Sequence, residues 1–244
     1  MYAFVTGGSR GIGRDIVLKL ASAGYDVAFS YHKNKEAADK TLEEISQMGR
    51  EGISVKMDVS VEDDVKNAVK EVESRFGALH ALVNNAGVLH MKELEATGLN
   101  EWDNVLKTNL TGVFLVTKYF LPLLRRSGDG SIVNISSIAG ETAGIASAAY
   151  SATKGGVIAL TRKLAAELAP HIRVNAVAPG LVETEMTEDY LKNPENREKM
   201  ELSTPLKRVA RPKDIAQVVL FLLSQAASFI TGEVINVNGG RYMA

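Results

Sequence analysis

Val5-Thr6-Gly7-Gly8-Ser9-Arg10-Gly11-Ile12-Gly13 decides how this chain is read. Before it, Tyr2-Ala3-Phe4-Val5-Thr6 is a short apolar run with the character of a buried strand. After it, Ile12, Ile16, Val17 and Leu20 recur at helical spacing as far as Gly24. The glycines therefore lie between a strand and a helix N-terminus. Unpaired backbone N–H groups and the positive end of the helix dipole favour a phosphate there. Glycine lets the backbone approach such a ligand without a Cβ in the way. A tight strand–helix turn with no ligand is the alternative reading of the same residues.

The rest of the chain repeats this alternation. Val27–Tyr31 predicts a second strand, Lys35–Met48 a charged helix, and the alternation of Ile53, Val55 and Met57 a third strand. Asp58-Val59 closes that strand, and Ser60-x-x-Asp63 has the form of a capping box. The helix behind it presents Val61, Val65, Ala68, Val69 and Val72 as its apolar face. Leu79–Val83 reads as a fourth strand ending in Asn84-Asn85-Ala86-Gly87, whose amides suit either bonding between loops or contact with a ligand. A long helix is expected over 100–125, carrying Trp102, Val105, Leu106, Leu110 and Phe114. Asn109 interrupts its apolar face, where an amide is costly to bury unless bonded.

Ser131–Ser136 predicts a fifth strand with Ser137 at its end, and Arg173–Ala178 a sixth, stopping at Pro179-Gly180. Residues 181–211 turn polar and irregular, yet keep Met186, Tyr190, Leu191, Met200 and Leu202, as a lid over an apolar substrate would. Lys213–Leu223 then reads as a helix and Glu233–Val237 as a last strand. The fold class that follows is α/β: a single-domain, Rossmann-like, doubly wound parallel sheet of about seven strands with helices on both faces. Residues 1–244 form one domain in this reading. In such sheets ligands bind at the carboxyl ends of the strands, where the glycine turn, Asn84-Asn85, Ser137 and Pro179-Gly180 all fall.

Dinucleotide folds that prefer NAD(H) usually carry an acid at the end of the second strand, bonded to the ribose 2′-hydroxyl. Here that end reads Ser30-Tyr31-His32-Lys33, without a carboxylate. Arg10, with His32 or Lys33, can instead meet a 2′-phosphate, so NADP(H) is preferred and NAD(H) is the alternative. Composition narrows the rest. A net charge of -1 argues against a nucleic-acid partner. With no cysteine and four scattered histidines, at 32, 80, 90 and 171, neither thiolate chemistry nor a metal cluster is expected. The apolar run Val113–Leu124 is broken by Lys118 and Pro122 and is too short to span a bilayer. No leader is apparent before the first strand, and a cytoplasmic location is expected.

Tyr150 and Lys154, four apart in Ser147-Ala-Ala-Tyr-Ser-Ala-Thr-Lys-Gly-Gly, share one helix face. A nearby ammonium favours a phenolate and lowers its pKa, which makes the phenol a usable proton donor or acceptor. A snorkelling lysine beside a half-buried ring is the plainer reading of that pair alone.

Taken together, Thr6-Gly7-x-x-x-Gly11-x-Gly13, Asn84-Asn85-Ala86-Gly87, Asn109, Ser137, Tyr150-x-x-x-Lys154 and Pro179-Gly180 resemble the short-chain dehydrogenases/reductases over essentially the whole chain. The resemblance implies hydride transfer between nicotinamide C4 and a carbonyl or secondary alcohol, with no metal. It assigns Tyr150 the proton, Ser137 a hydrogen bond to the reacting oxygen, and Lys154 the depression of the tyrosine pKa and the nicotinamide ribose. Asn109 would hold a water that relays protons from Lys154. Gly7, Ser9, Arg10, Gly11, Ile12 and Gly13 would meet the cofactor, with Tyr31, His32, Asp58 and Val59 towards the adenine end. Asn85, Ala86 and Gly87, then Pro179, Gly180, Val182 and Thr184, would complete the contacts, Val182 near the carboxamide.

Within that family the chain looks most like the 3-oxoacyl-[acyl-carrier-protein] reductases of fatty acid biosynthesis. The glycine turn and Phe229-Ile-Thr-Gly-Glu233 through Val237-Asn-Gly-Gly-Arg-Tyr-Met243 carry this closer likeness. It implies an acyl-carrier-protein thioester as substrate and a homotetramer as the assembly. Two positions depart from it: Ser147, where those reductases often carry glutamine, and Pro170, near a basic carrier-binding position that Arg125 and Arg126 could replace. A sugar or small secondary-alcohol dehydrogenase on the same scaffold is the alternative, and a non-catalytic NADP(H) sensor a further one.

Overall fold

A computed structural model describes residues 1–243. In chain order it runs β1 (Tyr2–Val5), α1 (Gly11–Ser22), β2 (Asp26–Tyr31), α2 (Lys35–Gln47), β3 (Gly52–Lys56), α3 (Glu62–Phe76) and β4 (Ala81–Asn84). There follow α4 (Leu99–Leu106), a π-helical turn (Lys107–Thr111), α5 (Gly112–Ser127), β5 (Gly130–Ile135), α6 (Ala148–Leu168) and β6 (Ile172–Pro179). The chain closes with α7 (Glu188–Leu191), α8 (Pro194–Ser203), α9 (Pro212–Leu223) and β7 (Val234–Val237). The strands form one seven-stranded sheet in the order β3-β2-β1-β4-β5-β6-β7. Each pair is parallel. This is the doubly wound sheet that the alternation of elements predicts.

Side-chain alternation along the strands explains why both faces are covered. Ala3 and Val5 point into a core built with Ile16, Val17 and Leu20 of α1 and Ile215, Val219 and Leu222 of α9. Phe4, between them, joins the opposite core with Val65, Ala68 and Val72 of α3 and Val116, Phe120 and Leu123 of α5. There Phe4 stacks on Phe120 with ring centroids 4.2 Å apart. A strand buried on both faces has no polar side to show, so β1 reads as a continuous apolar run.

Three local expectations are corrected. The Ser60-x-x-Asp63 capping box does not form: Val61 is the N-cap of α3, without a side-chain cap. The Ser60 hydroxyl is spent on Asp58, to which it donates at 2.7 Å, and Val61 stays exposed. The long helix over 100–125 is divided by the π turn at Asn109, and Phe114 is 49% exposed rather than packed in the core. Residues 181–211 are less irregular than expected, since α7 and α8 fold there around Leu191, Met200 and Val209.

Candidate active site

The glycine turn is shaped by close approach. Gly7 and Gly11 adopt φ of +66° and +54°, which L side chains rarely take up. A Cβ on Gly13 would lie 2.1 Å from the Gly7 carbonyl oxygen, so only glycine permits α1 to begin this near β1. Ser30 fixes the turn from β2, its Oγ accepting from Gly7 N–H at 3.1 Å and its carbonyl from Gly8 N–H at 2.9 Å. Thr6, just after β1, ties it to the loop after β4, its Oγ1 accepting from the N–H groups of Asn85 and Ala86, each at 2.9 Å.

The two asparagine amides are used within the protein. Asn85 Nδ2 donates to the carbonyls of Thr6 and Gly7 at 2.9 and 3.2 Å. Asn84 Nδ2 donates to Thr117 Oγ1 and Asn134 Oδ1 at 3.0 and 2.8 Å. Asn85 thus ties the end of β4 to the glycine turn, and Asn84 ties β4 to β5 and α5, the bonding between neighbours that this motif suits.

A cavity of about 710 Å³ runs along the carboxyl ends of the strands. It gathers Gly7, Ser9, Arg10, Gly11, Ile12 and Gly13 from the turn, Tyr31 and His32 after β2, and Asp58 and Val59 after β3. It continues past Asn85, Ala86 and Gly87 to Ser137, Tyr150 and Lys154, then to Pro179, Gly180, Val182 and Thr184. Asn109 alone among the expected residues does not line it. That residue is 1% exposed, and its amide clamps the backbone of Val88, accepting from N–H at 2.8 Å and donating to C=O at 2.9 Å. The π turn gives Asn109 this reach: one extra residue in the helix re-aims the side chain towards the loop after β4.

Ser137 and Tyr150 belong to different elements and are brought together by a close contact. The turn Ile138–Gly140 after β5 lies against α6, where a Cβ on Gly140 would come within 2.6 Å of the Lys154 carbonyl carbon and of Gly155 N. Ser136 Oγ donates to the Lys154 carbonyl at 2.9 Å and locks the contact. Ser147 caps α6, its Oγ accepting from Tyr150 N–H at 3.3 Å. Ser137 Oγ accepts from Ala139 N–H at 3.1 Å, which leaves its O–H free to donate into the cavity.

The electrostatics differ from the expectation that Lys154 depresses the tyrosine. Burial pushes the Tyr150 phenol up to about 12, against a smaller downward pull from the Ser137 hydroxyl. Burial also brings Lys154 down to about 8. The lysine is 5% exposed, donates to the Ile135 carbonyl at 2.8 Å, and stands 5.5 Å from the centre of the tyrosine ring. Burial, which disfavours the charged form of each group, sets both shifts. Tyr150 is therefore held as the phenol, the form that gives up a proton to a carbonyl oxygen.

At the adenine end Arg10, His32 and Lys33 line the cavity. Desolvation would raise Asp58, but two hydrogen bonds from Ser60 and the nearby His32 and Lys33 hold its carboxyl below the usual range. His32 Nε2 stands 3.6 Å from Asp58, and Arg10 pairs with Glu185 at 2.7 Å. The residues fit a dinucleotide: a turn that a Cβ would block, N–H groups at the start of α1, and cations at the far end.

Sequence reasoning missed the loop Thr142–Ala146, Glu185 and Arg241, all of which line the cavity. Arg241 had a signal, because it follows the last parallel strand and so lies at the carboxyl edge where ligands bind. Arg125 and Arg126 do not border the cavity within one chain, and Arg126 pairs with Glu73 at 2.7 Å. No helix among the described residues is long and apolar enough to cross a membrane.

Fold and site thus define a nicotinamide-dependent oxidoreductase. A family model described as Enoyl-(Acyl carrier protein) reductase matches residues 7–241. The 3-oxoacyl-[acyl-carrier-protein] reductase FabG of Staphylococcus aureus strain Mu50 is 46% identical over 242 residues, 99% of this chain and 98% of that protein. The enzyme of the same name from Aquifex aeolicus is 43% identical over 241 residues, 98% and 96% of the two chains. Among solved structures, a short-chain glucose/ribitol dehydrogenase from Brucella melitensis superposes with a TM-score of 0.92 at 38% identity, covering 100% of this chain and 97% of that one. The chain belongs to the short-chain dehydrogenase/reductase family and acts on CH–OH or C=O groups.

Proposed function

We propose that this protein is an NADP(H)-dependent reductase of 3-oxoacyl thioesters, with Tyr150 as general acid. The observation that carries the reading is the convergence of Ser137, Tyr150 and Lys154 in one cavity continuous with the glycine turn. A bound nicotinamide supplies the hydride that reduces the carbonyl carbon. Ser137 donates to the carbonyl oxygen and stabilises its developing charge. Tyr150 gives its phenolic proton to that oxygen, so that C=O becomes CH–OH. Lys154 holds the nicotinamide ribose and keeps positive charge near the tyrosine that has lost its proton. Asn109 fixes the Val88 loop and, in the same reading, a water that returns protons towards Lys154.

Arg10, His32 and Lys33 support NADP(H) over NAD(H), since two cations, an imidazole and a β2 end without an acid suit a 2′-phosphate. Residues 181–211 act as the lid, tied down by the Val182–Ala210 bridge. The reductase names of the relatives support a thioester carried on acyl-carrier protein, and the exposed Phe114 supports a homotetramer that covers it. The first test is NADPH and NADH consumption at equal concentration with an acetoacetyl thioester, beside NADP⁺ reduction with sugars and secondary alcohols. Oxidation of NADPH with the thioester alone is expected. A signal only from a sugar or alcohol overturns the substrate and leaves the proton-transfer scheme.

A dehydrogenase of sugars or small alcohols is the second reading. Ser147 favours it: the residue stands where the carrier-protein reductases often carry glutamine, and it serves as the cap of α6.

A further inference from the structure

Arg241 borders the cavity beside Leu181 and takes no part in the proton transfer. We propose that it anchors an anionic group, carboxylate or phosphate, that the substrate carries away from its reacting carbonyl. The inference rests on the reductase reading for its substrate but not for its geometry.

Four observations carry it. First, position: Arg241 follows β7 at one end of the strand order, whereas His32 follows β2 near the other. The two side chains therefore belong to opposite sides of the sheet order, with β1, β4, β5 and β6 between β2 and β7. Second, pre-organisation: Gly239 and Gly240 take φ of +67° and +86°, and the Asn238 side chain closes the turn. Its Oδ1 accepts from Gly240 N–H at 2.9 Å and its Nδ2 donates to the Tyr242 carbonyl at 3.0 Å. Leu206 N–H, from the segment after α8, bonds the Gly239 carbonyl at 3.1 Å, which ties the turn to residues 181–211.

Third, unspent donors: the guanidinium contacts Met200 Sδ at 2.8 Å, and a thioether is a weak acceptor. Arg208 and Asp214 stand around the adjoining smaller pocket, but they are bonded to each other at 2.6 Å. Among the described residues no carboxylate pairs with Arg241, in contrast to Arg10, Arg14, Arg197 and Arg208. Fourth, setting: Arg241 is half-buried and lines the cavity with Leu181, against the buried Met200, and these apolar neighbours lower the local dielectric. A planar guanidinium there takes an oxyanion by two parallel hydrogen bonds.

The two sources of the anion are separated by substrate. Wild type, Arg241→Met and Arg241→Lys are assayed with NADPH on three acetoacetyl-type thioesters. One is the neutral N-acetylcysteamine ester, one the phosphopantetheine ester, and one an N-acetylcysteamine ester whose acyl chain ends in a carboxylate. Arg241→Met is expected to lower kcat/KM by roughly 10- to 100-fold, through KM, on one anionic substrate and by less than about twofold on the neutral one. Arg241→Lys should recover part of the loss. The source is the pantetheine phosphate if the second ester responds, and the acyl carboxylate if the third does. Independently of turnover, pantetheine 4′-phosphate and glutarate are titrated calorimetrically into the NADPH complex of each variant. At least one should lose about tenfold in affinity in Arg241→Met. If neither affinity moves, or if the neutral ester suffers as much as the charged ones, Arg241 is not an anion anchor. Wild-type inactivity on all three esters would instead sink the thioester reading, with the titration still judging the anchor.

Discussion

Arg10 of the glycine turn and Glu185 of the segment after β6 are bonded across the cleft at 2.7 Å. The same guanidinium is the one proposed to meet the cofactor 2′-phosphate. Glu185 therefore competes with the phosphate, and binding NADP(H) exchanges one partner of Arg10 for another. Both side chains are more than 60% exposed, at 63% and 61%, so the competition is worth only a fraction of a buried pair.

Glu185→Gln should tighten NADPH by about two- to fivefold and leave NADH unchanged. Fluorescence titration of the reduced cofactors measures both. Equal gains for the two would show that Glu185 acts on something other than the phosphate.

Tyr150→Phe removes the proposed acid while keeping the ring. Activity with an acetoacetyl thioester should fall by about 10²- to 10⁴-fold, with the NADPH dissociation constant moving less than about threefold. Surviving turnover would exclude Tyr150 as the donor.

Lys154 gives a pH prediction with a definite sign. Its pKa is about 8 in the fold, below the ordinary 10.5 of the unfolded chain. The fold therefore favours the neutral amine, and this contribution is present above pH 10.5 and lost as pH falls through 8. At pH 7 the ammonium is buried at a cost, and Lys154→Met should raise stability by about 1–3 kcal/mol, offset in part by the lost bond to Ile135. Denaturant melts at pH 7 and pH 10 test this: the gain should shrink at the higher pH. In the wild type, kcat/KM for reduction should decline as pH rises through about 8, where Lys154 loses its proton. A flat profile to pH 10 would remove the ammonium from the rate.

Gly140→Ala should separate Ser137 from α6, because the new Cβ would meet the Lys154 carbonyl carbon at 2.6 Å. A displacement of about 1 Å costs roughly 10²-fold in rate when it falls between reacting groups. Circular dichroism should still report a native fold. Full activity would mean that the turn has room to yield.

Asn109→Ala leaves both backbone groups of the half-buried Val88 without their side-chain partner. The expected destabilisation is about 2–4 kcal/mol, read as a lower urea midpoint at unchanged slope. A variant as stable as wild type would show that water replaces the amide.

The alternation of strand and helix, the parallel sheet and the phosphate turn were legible in the sequence because each depends on residues close in the chain. Periodicity marks the buried face of α1, and glycine marks the close approach of β1 and α1, where a Cβ would stand 2.1 Å from a carbonyl. The candidate residues were legible for the same reason: each follows the carboxyl end of a parallel strand or lies in the helix beside it. Local signals failed where a competing contact took the side chain or where packing left a residue uncovered. Ser60 had the pattern of a cap but bonds Asp58, and Phe114 had helical spacing but faces outward.

The sequence by itself thus determined the fold class and which residues end up at one edge of the sheet. Tertiary structure alone decided what they do to one another. The contact of Gly140 with α6 sets Ser137 beside Tyr150, and burial, which no spacing reports, raises the phenol and lowers the amine. Arg10 and Glu185 are 175 positions apart, Arg241 and Met200 are 41 apart, and only the folded chain brings either pair into contact. Local patterns fix dihedral angles and faces, whereas charge and hydrogen-bond partnerships depend on distances that the packed sheet creates.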